Sequence, residues 1–332
     1  MLLSYLADYC QIILMKKFIS GVASLNIVIH LHRLFTGKIR DVVDFLFIPL
    51  YLICYPFIVL FRTKEQDKYS HKLGVCLIIK DEAPYIKEWL DYYLVLGVGV
   101  FYIFDNDSSD NIQEILKPYI DKGIVVYQQI HGKGRQLDAY TLCCKKHKKE
   151  CQYIGFFDID EFVYLDPSKN LVDVIDNSFA SHSDMGALAL NWIIFGSGNN
   201  ETKLDGLVIE RFKYRSEKDF DRNHHVKSIV NPRKVCVFRN PHFAFLQKGY
   251  HAYSVTGEQV EDAFVKDISL DIRINHYFCK SKEEYATKKV KGFADQIGER
   301  ALSDFNDHDK NDEFDDSMNP YIEMLKQKEQ AL

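Results

Sequence analysis

Between residues 73 and 157 short apolar runs alternate with amphipathic stretches, and this alternation restricts the fold more than any other feature of the chain. Leu73 to Ile79 reads as a strand, Asp81 to Leu96 as a helix with apolar residues at helical spacing, and Val100 to Phe104 as a second strand. Asp110 and Gln113 have capping-box spacing and open a helix through Ile120. Gly123 to Gln129 is a third strand, Gln136 to Lys149 a third helix, and Tyr153 to Phe157 a fourth strand. Alternation of this length predicts an α/β fold built on a parallel sheet with right-handed crossovers. In such sheets ligands collect outside the carboxyl ends of the strands. A polar signature follows each expected strand there: Lys80-Asp81-Glu82, Asp105 to Asp110, His131 to Arg135, and Asp158 to Glu161. Neither a glycine-rich dinucleotide fingerprint nor a P-loop follows the first strand, which argues against a nicotinamide enzyme or an ATPase.

The fourth signature, Phe156-Phe157-Asp158-Ile159-Asp160-Glu161-Phe162, sets an Asp-x-Asp pair directly after an apolar run. Side chains two apart on a strand project the same way, so Asp158 and Asp160 are expected to offer oxygen ligands together at a strand end. Oxygen donors of this kind hold magnesium or manganese against phosphate, although an isolated Asp-x-Asp also fits an ordinary acidic turn. The net charge of −5 gives no reason to expect nucleic acid, which needs a clustered basic surface. Eight cysteines are scattered, mostly in apolar runs, and read as buried free thiols of a reducing compartment. Cys143, Cys144, His147 and Cys151 crowd one segment, and a zinc site there is the minor alternative.

Residues 42 to 61 carry one charge, Asp44, in otherwise apolar sequence. Twenty helical residues reach about 30 Å, the thickness of a hydrocarbon core. Pro49 and Pro56 would bend such a helix, so a span, a re-entrant segment and an interfacial segment all remain open. Lys16, Lys17, Arg33, Lys38 and Arg40 stand among apolar residues upstream, a pattern suited to an anionic surface. The chain therefore divides into a helical membrane-associating region and linker (1–70), an α/β domain (71–300) and an acidic C-terminal segment with a terminal helix (301–332). No cleavable signal is expected. The favoured location is the cytoplasmic face of a bacterial inner membrane, with a Golgi membrane as the alternative.

The run LIIKDEAPYIKEWLDYYLVLGVGVFYIFDNDSSD, then Gln136 to Tyr140, FFDIDEF, NWIIFGSG and INHYFCKSKEEYATKKVKG, resembles the family 92 and family 2-like glycosyltransferases, including the group long labelled domain of unknown function 23. The resemblance covers roughly residues 73 to 295. Asp81 departs from it, standing where the usual pattern has Asn. The resemblance implies a GT-A fold, a mixed sheet flanked by helices, and inverting transfer from a nucleotide-sugar donor with Mn2+ or Mg2+. It places Asp160 as the direct metal ligand, Asp158 toward the ribose and the metal's waters, and His276 as the distant histidine that completes the site. On these terms Lys80, Glu82, Asp105, Asn106 and Ser108 would serve uracil and ribose, with Arg135 or Gln136 closing over the base. Lys282, Lys288, Lys289 and Lys291 follow a Ser281-to-Glu284 capping box and are candidates for the diphosphate.

On the acceptor side Trp192, with Phe195 and Gly196 in the same run, offers an indole face for a sugar, although core packing is the ordinary role of a tryptophan. An inverting transferase needs a carboxylate base for the acceptor hydroxyl; Glu210 is the expected one, with Asp219 and then Glu201 behind it. Lys227, His242 and His251 are further pocket candidates. The partners implied are a nucleotide-sugar donor, a glycan or lipid-linked oligosaccharide acceptor and a membrane surface. A nucleotidyltransferase and a catalytically silent nucleotide-sugar-binding scaffold are the competing functions.

Overall fold

A computed structural model of the chain describes residues 42, 46–50, 53, 63–294, 298 and 301–330. The expected membrane-associating stretch, including most of 42–61, lies outside the described residues; among those described, no helix is long and apolar enough to cross a membrane.

The first half follows the expected alternation: β1 (His71–Ile79), α1 (Ala83–Val95), β2 (Val100–Asp105), α2 (Ile112–Asp121), β3 (Val125–Gln129), α3 (Gln136–His147) and β4 (Cys151–Phe156). β1 lies between β2 and β4, all parallel, with Val75 paired to Phe101 and to Gly155. β1 is covered on both faces, which is why its run is continuously apolar. Its odd residues, Val75, Leu77 and Ile79, join the core under α1, where Trp89, Leu90 and Tyr93 are buried. Its even residues, Cys76 and Ile78, join a second core with Ala139, Tyr140 and Cys143 of α3. Single-residue alternation thus assigns each side chain to a layer.

After β4 the sheet ceases to be purely parallel. The chain continues through β5 (Glu161–Leu165), α4 (Leu171–Ser181), β6 (Met185–Ile194), the short α5 (Val208–Arg211), β7 (Tyr214–Arg215), β8 (Val226–Val230), β9 (Val235–Phe238), β10 (Ala244–Leu246), β11 (His251–Ser254), β12 (Gln259–Val260) and β13 (Ile272–His276). β8 inserts antiparallel between β4 and β6, giving the order β12-β11-β6-β8-β4-β1-β2-β3. β13 pairs parallel with β6 and antiparallel with β5, which carries His276 to the strand end opposite Glu161. The result is the expected mixed sheet flanked by helices.

Three helices and a short strand close the chain: α6 (Lys282–Lys291), α7 (Leu302–His308), β14 (Glu313–Phe314) and α8 (Asn319–Gln330). α6 opens on the expected capping box of Ser281 and Glu284. Residues 301–330 pack onto the α/β layers. Tyr321, Ile322 and Leu325 of α8 are buried in the α1-side core, Tyr321 lies 5.3 Å from Tyr92, and its hydroxyl donates to the Leu165 carbonyl at 2.7 Å.

The crowded thiols are core residues. Cys76, Cys143, Cys144 and Cys151 are buried and free, and burial pushes each thiol up, holding it protonated. His147 Nδ1 instead faces Glu150 at 2.8 Å, and among the described residues no three such side chains are arranged as the zinc alternative needs.

Candidate functional site

A cavity of about 470 Å³ opens where the strand order reverses, between the carboxyl ends of β1 and β4. Lys80, Glu82, Asn106 and Gln136 line one wall. Asp158, Asp160 and His276 form the floor, Lys288 and Lys291 a second wall, and Trp192, Arg222, His225, His242 and His308 a third.

The Asp-x-Asp motif sits on the tight turn from β4 to β5, closed by the Glu161 amide donating to the Asp158 carbonyl at 3.1 Å. The expected strand-like alignment of the two carboxylates is therefore absent, because the chain reverses between them. Asp158 Oδ1 accepts from Gln136 Nε2 at 2.7 Å and Tyr140 Oη at 3.1 Å, and Oδ2 from Lys227 Nζ at 2.7 Å. Asp160 instead faces Lys288 Nζ, 2.5 Å from Oδ2, and His276 Nε2, 3.6 Å from Oδ1. Burial penalises both charges. For Asp158 the neighbouring Lys227 outweighs that penalty; for Asp160 Lys288 and His276 hold the carboxyl well below the usual carboxylate range. Glu161 has no such excess of cations, and burial pushes it up to about 8. Its Oε2 accepts the Asp158 amide at 2.9 Å, so its work is to fix the turn.

Asp160 and His276 make a two-ligand set. Burial keeps the His276 imidazole below its ordinary value, hence neutral and able to donate a lone pair, and its buried Nδ1 has no partner among the described residues. One carboxylate oxygen and one imidazole nitrogen suit a divalent cation whose other positions are left to substrate and water. Asp158 has both oxygens engaged by protein donors and is not part of that set. Among the described residues no group of three or more His, Cys, Asp and Glu side chains is arranged to hold a metal.

On the nucleotide side the structure separates cavity residues from loop builders. Lys80, Glu82, Asn106 and Gln136 line the cavity, whereas Asp105, Ser108 and Arg135 do not. Asp105 is buried and accepts from the Ser108 amide at 2.9 Å and from Tyr127 Oη at 2.5 Å. Asp110 Oδ2 receives the Ala83 amide at 2.8 Å, at the start of α1. The 105–110 stretch is thus a polar turn tied to the neighbouring loops at Asp81–Ala83 and Ile130–Gly132. Arg135 pairs with Asp138 at 2.8 Å. Asp81 has φ +53, a left-handed conformation that Asn and Asp tolerate, and its Oδ1 accepts from Ser109, so the extra charge points into the turn.

On α6, Lys288 and Lys291 face the cavity, one turn apart. Lys291 Nζ donates to Glu82 Oε1 at 2.8 Å and to the Asp81 carbonyl at 2.7 Å. Lys282 does not line the cavity and is paired with Glu201 at 2.6 Å on the exposed surface.

On the third wall Trp192 is almost wholly enclosed. His225 stacks on its ring at 5.1 Å, with His276 at 4.2 Å and His242 at 4.9 Å. The indole face expected for an acceptor sugar is therefore occupied by imidazoles. Phe195 packs on Tyr277 at 4.8 Å, and a Cβ on Gly196 would come 2.2 Å from the Lys310 carbonyl oxygen; both positions serve packing beside the cavity. Glu210 pairs with Lys326 at 2.5 Å, and neither it, Asp219 nor Glu201 lines the cavity. Lys227 is fully buried under the acidic turn, His242 reaches the wall, and His251 lies on β11, next to the edge strand β12 and near Asp184. Arg222, His225 and His308 escape sequence reasoning, since each stands alone, His308 at the end of the short α7, with no spacing signal that ties it to the site. His225 Nδ1 faces the Arg222 carbonyl at 3.1 Å and His308 Nδ1 the Asp304 carbonyl at 2.7 Å. A carbonyl accepts only, so each Nδ1 carries the proton and each Nε2 keeps its lone pair. Burial lowers both imidazoles, His308 to about 4, so they are neutral at neutral pH.

The profile of glycosyltransferase family 92 matches residues 71–310. A glycosyltransferase family 92 protein of Arabidopsis thaliana is 28% identical over 180 residues, which cover 52% of this chain and 30% of that protein. Galactan beta-1,4-galactosyltransferase GALS2 of Arabidopsis thaliana is 23% identical over 52% of this chain and 36% of its own length. This chain thus matches about a third of the length of these relatives. Among solved structures, S. aureus TarS 1-349 in complex with UDP-GlcNAc is similar at a TM-score of 0.33, with 14% identity, over 48% of this chain and 45% of that one. Family 92 relatives from Ricinus communis and Oryza sativa join the Arabidopsis protein, and this plant set overturns the expected bacterial inner-membrane location.

Proposed function

The chain belongs to glycosyltransferase family 92, and from that premise we propose that it moves a sugar from a nucleoside diphosphate donor to a glycan hydroxyl, with inversion and with help from a divalent cation. The observation that carries this reading is the convergence of Asp160, His276, Lys288 and Lys291 on one cavity at the strand-order reversal. Asn106 and Gln136 offer amides to the nucleoside, and Lys288 and Lys291 offer ammonium groups to the two phosphates. Asp160 and His276 are the residues that would hold Mn2+ or Mg2+, which when bound neutralises charge developing on the leaving diphosphate. UDP is the nucleotide carried over from the family resemblance. Galactose is the first sugar to test, because one relative is named a galactan galactosyltransferase.

Inversion requires a base for the acceptor hydroxyl on the face opposite the leaving group. The third wall supplies an imidazole whose Nε2 is unprotonated, His225, and it replaces Glu210 and Asp219 in the proposed role; His308, lowered to about 4, is too weak a base for it. The apolar and basic residues 1–70 are proposed to bring the domain to a membrane surface.

The deciding assay measures UDP release from a panel of UDP-sugars, with Mn2+ and with chelator, in the presence of galactan oligosaccharides. Asp160→Asn is expected to lower turnover at least ~100-fold, the scale of losing one electrostatic stabiliser of a transition state. Turnover that survives both chelation and this substitution would remove the metal-assisted reading.

A further inference from the structure

Lys288 stands where the proposed cation chemistry and the proposed diphosphate chemistry meet. Its Nζ lies 2.5 Å from Asp160 Oδ2, 2.9 Å from the Phe278 carbonyl and 3.9 Å from the Phe278 ring centre. Asp160 is buried, so in the free protein this ammonium is the main neutraliser of its charge. A dication on Asp160 Oδ1 would put two cations on one carboxylate within a few ångströms, where they repel. The lysine stem is flexible, and its carbonyl and ring contacts do not depend on Asp160. Lys291, one turn along the same face, is likewise neutralised by an acid, Glu82, in the free protein. Both cations that would meet a diphosphate are therefore already paired before any ligand arrives.

Resting on the metal-assisted reading above, we propose that Lys288 exchanges partners: it neutralises Asp160 in the free protein and passes to the donor diphosphate when a divalent cation takes Asp160. Cation and nucleotide then bind as a linked pair. With Asp160 engaged by a cation, the Lys288 ammonium would need another anion, and the diphosphate would supply it. Linkage is reciprocal, so each ligand tightens the other by the same factor.

Mn2+ binding, followed by loss of the free-ion paramagnetic resonance signal with and without UDP, tests this without any turnover. The unaltered protein is expected to bind Mn2+ weakly alone and at least roughly tenfold more tightly with UDP. Lys288→Met is expected to bind Mn2+ alone roughly tenfold more tightly than the unaltered protein and to lose most of the UDP enhancement. Lys288→Arg, which keeps the cation, is expected to retain it, and thermal melts identify folded variants. Asp160→Asn with UDP reports complexation in solution, and an enhancement that persists there overturns the proposal. Lys288→Met that binds Mn2+ no more tightly than the unaltered protein, with the enhancement intact, overturns partner exchange and leaves the metal site standing. Absence of Mn2+ binding in every form, with and without UDP, overturns the metal site itself and this proposal with it.

Discussion

At the scale of single residues, Asp158 and Asp160 are two positions apart in sequence and do different work. Asp158 Oδ2 is the 2.7 Å partner of Lys227, whose side chain is wholly enclosed, while Glu161, the other acid near that ammonium, is 3.6 Å away. Asp158→Asn would strand a buried charge, so it is expected to destabilise the protein by about 3 kcal/mol, read from urea midpoints. Asp160→Asn is expected to cost about 1 kcal/mol, because Lys288 is partly exposed and can turn toward water. Equal costs for the two would refute this division of labour. The acid pair was legible in the sequence, as was His276 through the family pattern. The division between the acids was not, because it depends on Lys227 of β8 and Lys288 of α6, which only folding brings to them.

At the scale of elements, α6 shows how a local signal serves a distant site. Ser281 Oγ accepts the Glu284 amide at 3.2 Å and the Ser281 amide donates to Glu284 Oε2 at 3.1 Å, the capping box that the spacing predicts. The same Glu284 receives both Arg211 guanidinium nitrogens at 2.9 Å, which ties α6 to α5. Burial works against its charge, but Arg211 and Ser281 draw the carboxyl down to about 2. Ser281→Ala is expected to cost about 1 kcal/mol by denaturant titration. It is also expected to raise KM for the donor more than it lowers kcat, because it loosens the helix that carries Lys288 and Lys291. An unchanged KM would disconnect the cap from the site. Helix, cap and lysines were readable from sequence; which lysines face the cavity was not, since Lys282 and Lys288 differ only in the direction each projects from the helix.

For the whole molecule, the segment after residue 300 is a structural part of the domain. Asp309 and Asn311 bond the loop at Ser197 and Gly198, and Asp315 pairs with both Arg215 and Arg273. α8 buries Tyr321, Ile322 and Leu325. Three such side chains contribute about 5 kcal/mol, as much as the whole stability of many domains. A chain ended after residue 310 keeps every family-matched position, yet it is expected to lose its cooperative melt by circular dichroism. A sharp transition within a few degrees of the full chain would show that the docking is dispensable.

The sequence alone determined the parallel half of the sheet, the helices that cover it, the acid pair and the capping box, because periodicity and spacing act over a few residues and the chain obeys them locally. Tertiary structure alone decided that β8 and β13 join the same sheet, that imidazoles enclose Trp192, that Glu210 pairs with Lys326 away from the cavity, and that Lys288 neutralises Asp160. Those outcomes depend on burial and on charges brought together from 100 or so residues apart, and no window along the chain contains both members of such a pair.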